Sequence, residues 1–143
     1  MVSLKGHKVY LDANTLIYAL EGLVQYSNLQ SGLLGALDAF EFRIVTSQLT
    51  LMETTVYPKR RGDTAGEQKF RLFLTPSSHV SVMPITEAVL EKAIELRAIH
   101  QALKTPDAIH LATGILAGCD IFLTADLAWS KVGVTVVDPG DVR

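Results

Sequence analysis

Short apolar runs alternate with longer stretches of helical period, and this alternation constrains the fold of the chain more than any other feature. Lys8 to Leu11, Phe42 to Thr46, Val80 to Met83, Asp120 to Thr124 and Val134 to Val137 read as strands. Between them, helices are predicted from Asn14 to Glu21 and from Leu29 to Phe40. A third is capped by Ser47 and runs to about Tyr57, where Pro58 stops it before a charged turn, Lys59 to Asp63. Further helices span Glu67 to Leu74, Thr86 to Ala102 and Pro106 to Ala117, and Leu127 to Lys131 is a helical turn. Strands separated by helices pair in parallel through crossovers. The expectation is therefore one α/β domain over residues 1–143, with a central parallel sheet between two layers of helices.

Such sheets bind ligands beyond the carboxyl ends of their strands, where the strand order reverses. Asp12 directly follows Val9-Tyr10-Leu11, and Asp126 closely follows Ile121-Phe122-Leu123, so both acids belong at those ends. Glu53 shares the spacing of Leu49, Met52 and Val56, a helical face of the kind that turns to a core. An unpaired acid on such a face is costly unless it is neutralised, reaches water or binds a cation. Asp107 follows Pro106 in the first turn of a helix, where an acid suits the helix dipole, yet it shares a face with Leu111 and Ile115. Asp12 and Asp126 each also suit a helix cap, although Asn14 offers an alternative cap that leaves Asp12 free for the crevice. Each acid alone has a structural explanation. Together they can meet in one crevice, where converging carboxylates are normally compensated by a hard divalent cation such as Mg²⁺ or Mn²⁺.

Composition narrows the alternatives. A net charge of −2 gives no global field toward nucleic acid, so any polyanion must be held locally. Lys59, Arg60 and Arg61 form the basic cluster available for substrate phosphates. Cys119 is the single cysteine, which excludes an internal disulfide and a cysteine zinc cage. His7, His79 and His100 are not spaced as metal ligands, and His110, one turn after Asp107, reads as a structural histidine, with reach into the site as the alternative. Glu87, Glu91 and Glu95 recur every four residues and mark a solvated face. Without a leader-like start or a membrane-length apolar run, a cytoplasmic protein is expected.

The motifs then resemble a known family. Val9-Tyr10-Leu11-Asp12-Ala13-Asn14-Thr15 is similar to the opening motif of PIN domains, especially VapC-type toxin ribonucleases. Thr50-Leu51-Met52-Glu53, Thr105-Pro106-Asp107-Ala108-Ile109-His110 and Ile121-Phe122-Leu123-Thr124-Ala125-Asp126 resemble the second, third and fourth motifs, in the family's order. Ala125 departs from the pattern, since many members have a polar or basic residue there. The resemblance implies that Asp12, Glu53, Asp107 and Asp126 are acidic metal ligands, with Thr124 and Asn14 in support. It further implies a Mg²⁺- or Mn²⁺-dependent endoribonuclease acting on single-stranded or structured RNA, usually dimeric and restrained by a small antitoxin protein. Hydrolysis of this kind leaves a 5′-phosphate and a 3′-hydroxyl.

Two other functions are compatible with parts of the sequence. A non-catalytic PIN-like module would bind RNA or protein without cutting, but is expected to have lost at least one acid. A phosphatase of the haloacid dehalogenase type also begins with an Asp after a strand. Here Asn14 stands where that mechanism requires a second, proton-donating Asp.

Overall fold

The computed structural model describes residues 2–22, 24–31, 42–77 and 79–142. Five parallel strands form one sheet in the order β3-β2-β1-β4-β5: β1 (Lys8–Leu11), β2 (Arg43–Ser47), β3 (Val80–Met83), β4 (Ile121–Leu123) and β5 (Val136–Val137). The order steps outward from β1 through β2 to β3, then restarts beside β1 with β4. The reversal lies between β1 and β4, whose pairing places Tyr10 beside Phe122 and Leu11 beside Leu123.

Alternation along the strands divides the core in two. Val9, Leu11, Ile44, Val80, Ile121 and Leu123 meet α1 (Ala13–Leu20) through Leu16 and Leu20, and α3 (Thr64–Phe73) through Phe70 and Phe73. On the other side Tyr10, Val45 and Phe122 meet α4 (Glu87–Ile99), α5 (Thr105–Leu116) and Trp129. Gly114 lets α5 lie close on this second face: a Cβ there would sit 2.3 Å from the Phe122 ring and 2.9 Å from that of Tyr10. Even alanine would force the ring or the helix to move.

Several boundaries differ from expectation for identifiable reasons. The helix α2 (Gln48–Arg61) continues through Pro58 for another turn, so Lys59, Arg60 and Arg61 are helical. It ends at Gly62, φ 66°, where Gly62 N–H donates to Lys59 O and Asp63 N–H to Pro58 O. This closing motif satisfies the last carbonyls, and the three cations complement the negative end of the helix dipole. The buried face of α2 is also not the apolar one. Thr50, Thr54, Thr55 and Pro58 are buried, while Met52 is 62% exposed. The threonines are satisfied locally: Thr54 donates to Thr50 O at 2.8 Å, Thr55 to Leu51 O at 2.6 Å, and Thr50 pairs with Thr46 at 2.7 Å.

α3 starts at Thr64, because Asp63 caps it by accepting from Gly66 N–H at 2.9 Å. α4 stops at Ile99, earlier than the predicted Ala102. The first strand and β3 match their predicted spans, whereas β5 is confined to Val136–Val137. Residues 27–31 are helical, and the rest of the predicted Leu29–Phe40 helix lies outside the described residues. No described helix is long and apolar enough to cross a membrane.

Candidate functional site

Asp12 leaves β1 in extended conformation and caps α1, its Oδ1 accepting from Thr15 N–H at 2.7 Å. The expected assignment of the cap to Asn14 is thus corrected, since Asn14 is exposed on the first turn and Asp12 has the cap geometry. Capping and a place in the crevice do not compete, because a carboxylate has two oxygens. Asp12 Oδ2 accepts from Thr124 Oγ1 at 2.6 Å, across the β1/β4 reversal. The same Thr124 oxygen accepts from Asp126 N–H at 3.0 Å. Thr124 therefore ties Asp12 to the loop that bears Asp126. Asp126 itself caps the 3₁₀ turn Leu127–Val132, accepting from Ala128 N–H at 3.0 Å.

Glu53 is half-buried and accepts from His110 Nε2 at 2.5 Å. The other ring nitrogen, Nδ1, lies 2.6 Å from the Tyr10 hydroxyl. Burial holds Tyr10 well above the usual phenol range, so it stays protonated and can donate to Nδ1 while Nε2–H donates to Glu53. The fully enclosed His110 also stacks on Trp129, with ring centroids 6.1 Å apart. His110 is thus the structural histidine expected, and it also fixes the orientation of an acid in the site. Sequence reasoning named it but did not place it among the site residues. Its spacing of one turn from Asp107 was the available clue.

Asp107 lies in the first turn of α5 and makes no hydrogen bond through its carboxylate among the described residues. Burial raises its pKa above the ordinary 3.8, and the charges of Asp126, Asp12 and Glu53 raise it further, against a partial offset from His110. All four predicted acids therefore share one electrostatic neighbourhood. Asp107 and Asp126 also line a cleft of about 200 Å³ beside the end of the sheet.

The basic residues are placed elsewhere. Lys59 pairs with Glu67 at 3.4 Å, Arg61 with Asp63 at 3.7 Å, and Arg60 lies over the Tyr57 ring at 5.9 Å. None of the three lines the cleft that holds Asp107 and Asp126. Burial pushes the Cys119 thiol up to about 12, so it offers no thiolate nucleophile at neutral pH.

The donor set suits a hard divalent cation in kind: oxygen ligands, excess negative charge, and one carboxylate destabilised by burial and by its acidic neighbours. Among the described residues, no three His, Cys, Asp or Glu side chains lie close enough together to hold one ion at once. Binding an ion would require these mutually repelling carboxylates to draw together.

The chain matches the PIN domain family over residues 9–134. A comparison with curated proteins gives no match. Among solved structures it is similar to a toxin–antitoxin complex from Klebsiella pneumoniae, with 28% identity and a TM-score of 0.66 over 92% of this chain and 97% of that one. VapBC2 from Rickettsia felis, bound to a DNA fragment from its promoter, has 15% identity and a TM-score of 0.71 over 91% and 97% of the two chains. Mycobacterium tuberculosis VapC20, a toxin that cleaves the sarcin–ricin loop, has 19% identity and a TM-score of 0.70 over 92% and 99%. Acids at the β1/β4 reversal, the parallel sheet and a family match over most of the length lead to one assignment: the chain belongs to the PIN domain family.

Proposed function

We propose that the protein is a metal-dependent endoribonuclease, the toxin of a toxin–antitoxin pair. The observation that carries this reading is the gathering of Asp12, Glu53, Asp107 and Asp126 around the strand reversal, where burial and then the charges of the other three acids raise the Asp107 pKa. In this reading Asp12 and Asp107 are the principal ligands for Mg²⁺ or Mn²⁺, Glu53 is next, and Asp126 acts through water. A bound ion supplies charge neutralisation at the scissile phosphate and lowers the pKa of the attacking water. The protein's part is orientation. Thr124 fixes one oxygen of Asp12, and the Tyr10–His110 pair fixes Glu53. His110 is a positioning residue, and no histidine general base is needed.

The toxin reading draws on the Klebsiella and Rickettsia complexes and on the RNA-cleaving VapC20. The expected partners are an RNA substrate, a small antitoxin protein and a second copy of the chain. The family match disfavours the phosphatase alternative, and the presence of all four acids disfavours the non-catalytic module.

The test is to incubate purified protein with defined RNAs, with Mn²⁺ or with EDTA, and to map the ends. Cleavage only with the ion, leaving 5′-phosphate and 3′-hydroxyl ends, is expected. Activity that survives exhaustive chelation would overturn the mechanism. Cleavage without growth inhibition, when the protein is expressed alone in a bacterium, would point to RNA processing in place of toxicity.

A further inference from the structure

The cleft beside Asp107 and Asp126 has a second, oppositely charged part. Lys104 enters it from the segment between α4 and α5, Lys131 from the 3₁₀ turn Leu127–Val132, and His100 also lines it. Neither lysine makes a side-chain hydrogen bond or salt bridge among the described residues, although two carboxylates line the same cleft. They are therefore not partners that neutralise the acids.

Lys104 also breaks a local rule. It is the N-cap of α5 and makes no side-chain capping bond. A lysine there sets a cation against the positive end of the helix dipole, where Ser, Thr, Asn or Asp is favoured. Thr105, a good capping residue, is next in sequence, but its hydroxyl accepts from Arg97 at 2.9 Å. Arg97 Nε also donates to Leu103 O at 2.9 Å, so two bonds fasten this segment to α4. The opposite wall is held by Trp129, which is 2% exposed, and by the Asp126 cap. Two unpaired cations are thus mounted on two fixed supports beside the acids. Breaking a local preference without a structural gain is typical of functional positions.

We propose that Lys104 and Lys131 form a phosphate subsite that holds the RNA backbone phosphate flanking the scissile one. This inference rests on the nuclease reading above and adds to it the residues that position the strand. A cleft of about 200 Å³ is below the size of drug-like pockets and suits a sugar–phosphate unit. Trp129 is covered by its neighbours and presents no face on which a base could stack. The subsite therefore reads charge, not sequence, and positions the strand without specifying it.

The test compares unmodified protein with Lys104→Gln, Lys131→Gln, the double variant, and Lys5→Gln. The last makes the same charge change in the exposed turn before β1, at the other end of the strand. Cleavage kinetics are measured on two RNAs of unrelated sequence, with binding of a labelled single-stranded RNA in EDTA across a salt series. Each cleft variant should raise KM and Kd several-fold on both RNAs and leave kcat within about twofold, because phosphate contacts position without carrying sequence information. Each should also reduce the salt slope of binding by about 0.7, the value for one lost phosphate contact on a single strand. Lys5→Gln should change none of these. Melting curves should show Lys104→Gln folded, since it removes a cation from a helix N-terminus. Unchanged KM and salt slope in both single variants, with cleavage intact, would overturn the subsite and leave the nuclease standing. Unmodified protein that neither binds nor cuts RNA would overturn both.

Discussion

The two faces of the sheet are built from different materials. The face of Val9, Leu11, Ile44 and Leu123 is aliphatic and meets α1 and α3 through Leu16, Leu20, Phe70 and Phe73. The face of Tyr10 and Phe122 is aromatic and polar, with His110 and Trp129 stacked within it. The second face sends a hydrogen-bonded chain to the rim, from Tyr10 through His110 to Glu53. On the first face a substitution should affect stability alone. On the second, packing and site geometry are the same structure, and a substitution should affect both.

The largest stability effect is expected on the aliphatic face. Leu16→Ala removes a fully buried side chain and should cost about 2–5 kcal/mol. Measured by chemical denaturation, the loss should leave the activity of the folded fraction unchanged. Reduced specific activity would break the contrast between the faces. On the other face, Gly114→Ala forces a methyl against Phe122 and Tyr10 and should cost about 1–3 kcal/mol. Because Phe122 stacks on Tyr10, and the Tyr10 ring meets His110 edge-on, cleavage should fall as well. His110→Ala should cost roughly 1–3 kcal/mol by leaving the Tyr10 hydroxyl without its histidine partner. It should also slow cleavage by about 10–100-fold, the usual effect of removing a group that orients a metal ligand. Tyr10→Phe leaves the Glu53 contact in place and should slow cleavage less than His110→Ala does. Equal losses in the two variants would show that the orienting effect does not run through the Glu53 bond.

The strand–helix alternation made the sheet legible, since buried parallel strands read as apolar runs between helical stretches. The four acids stood out because Asp12 and Asp126 follow strand runs, while Glu53 and Asp107 share helix faces with apolar residues. What misled was chemistry that hydropathy does not encode. Leu49, Met52 and Val56 have the period of a core face, yet the interior of α2 is lined by Thr50, Thr54 and Thr55, whose hydroxyls bond the backbone. Pro58 reads as a stop, but the helix continues to the motif closed by Gly62. Asn14 and Asp12 are both good caps by type, and only the backbone geometry at Asp12 decides between them. The link from His110 to Glu53 joins residues 57 positions apart, beyond any local pattern.

A smaller effect concerns pH. Asp107 is held above its ordinary pKa by burial and by the other acids, so its ionised form disfavours the folded state. The resulting penalty is present above the raised folded pKa and disappears as pH falls below the ordinary value of 3.8. Asp107→Asn should therefore be more stable than the unmodified protein at neutral pH and no more stable in acid. Equal melting temperatures of the two proteins at neutral pH would remove the electrostatic account of Asp107.

That pair of proteins also provides the most direct test of the acidic centre as a cation site. Unmodified protein and Asp107→Asn are titrated with Mn²⁺ while the melting temperature is followed. A ligand that binds only the folded state stabilises it by RT ln(1 + [L]/Kd), about 2.7 kcal/mol at a hundred times Kd. The unmodified protein should show a saturating rise in melting temperature, and in Asp107→Asn the rise should be lost or shifted to much higher concentration. No rise in the unmodified protein, or the same rise in both, would contradict the assignment.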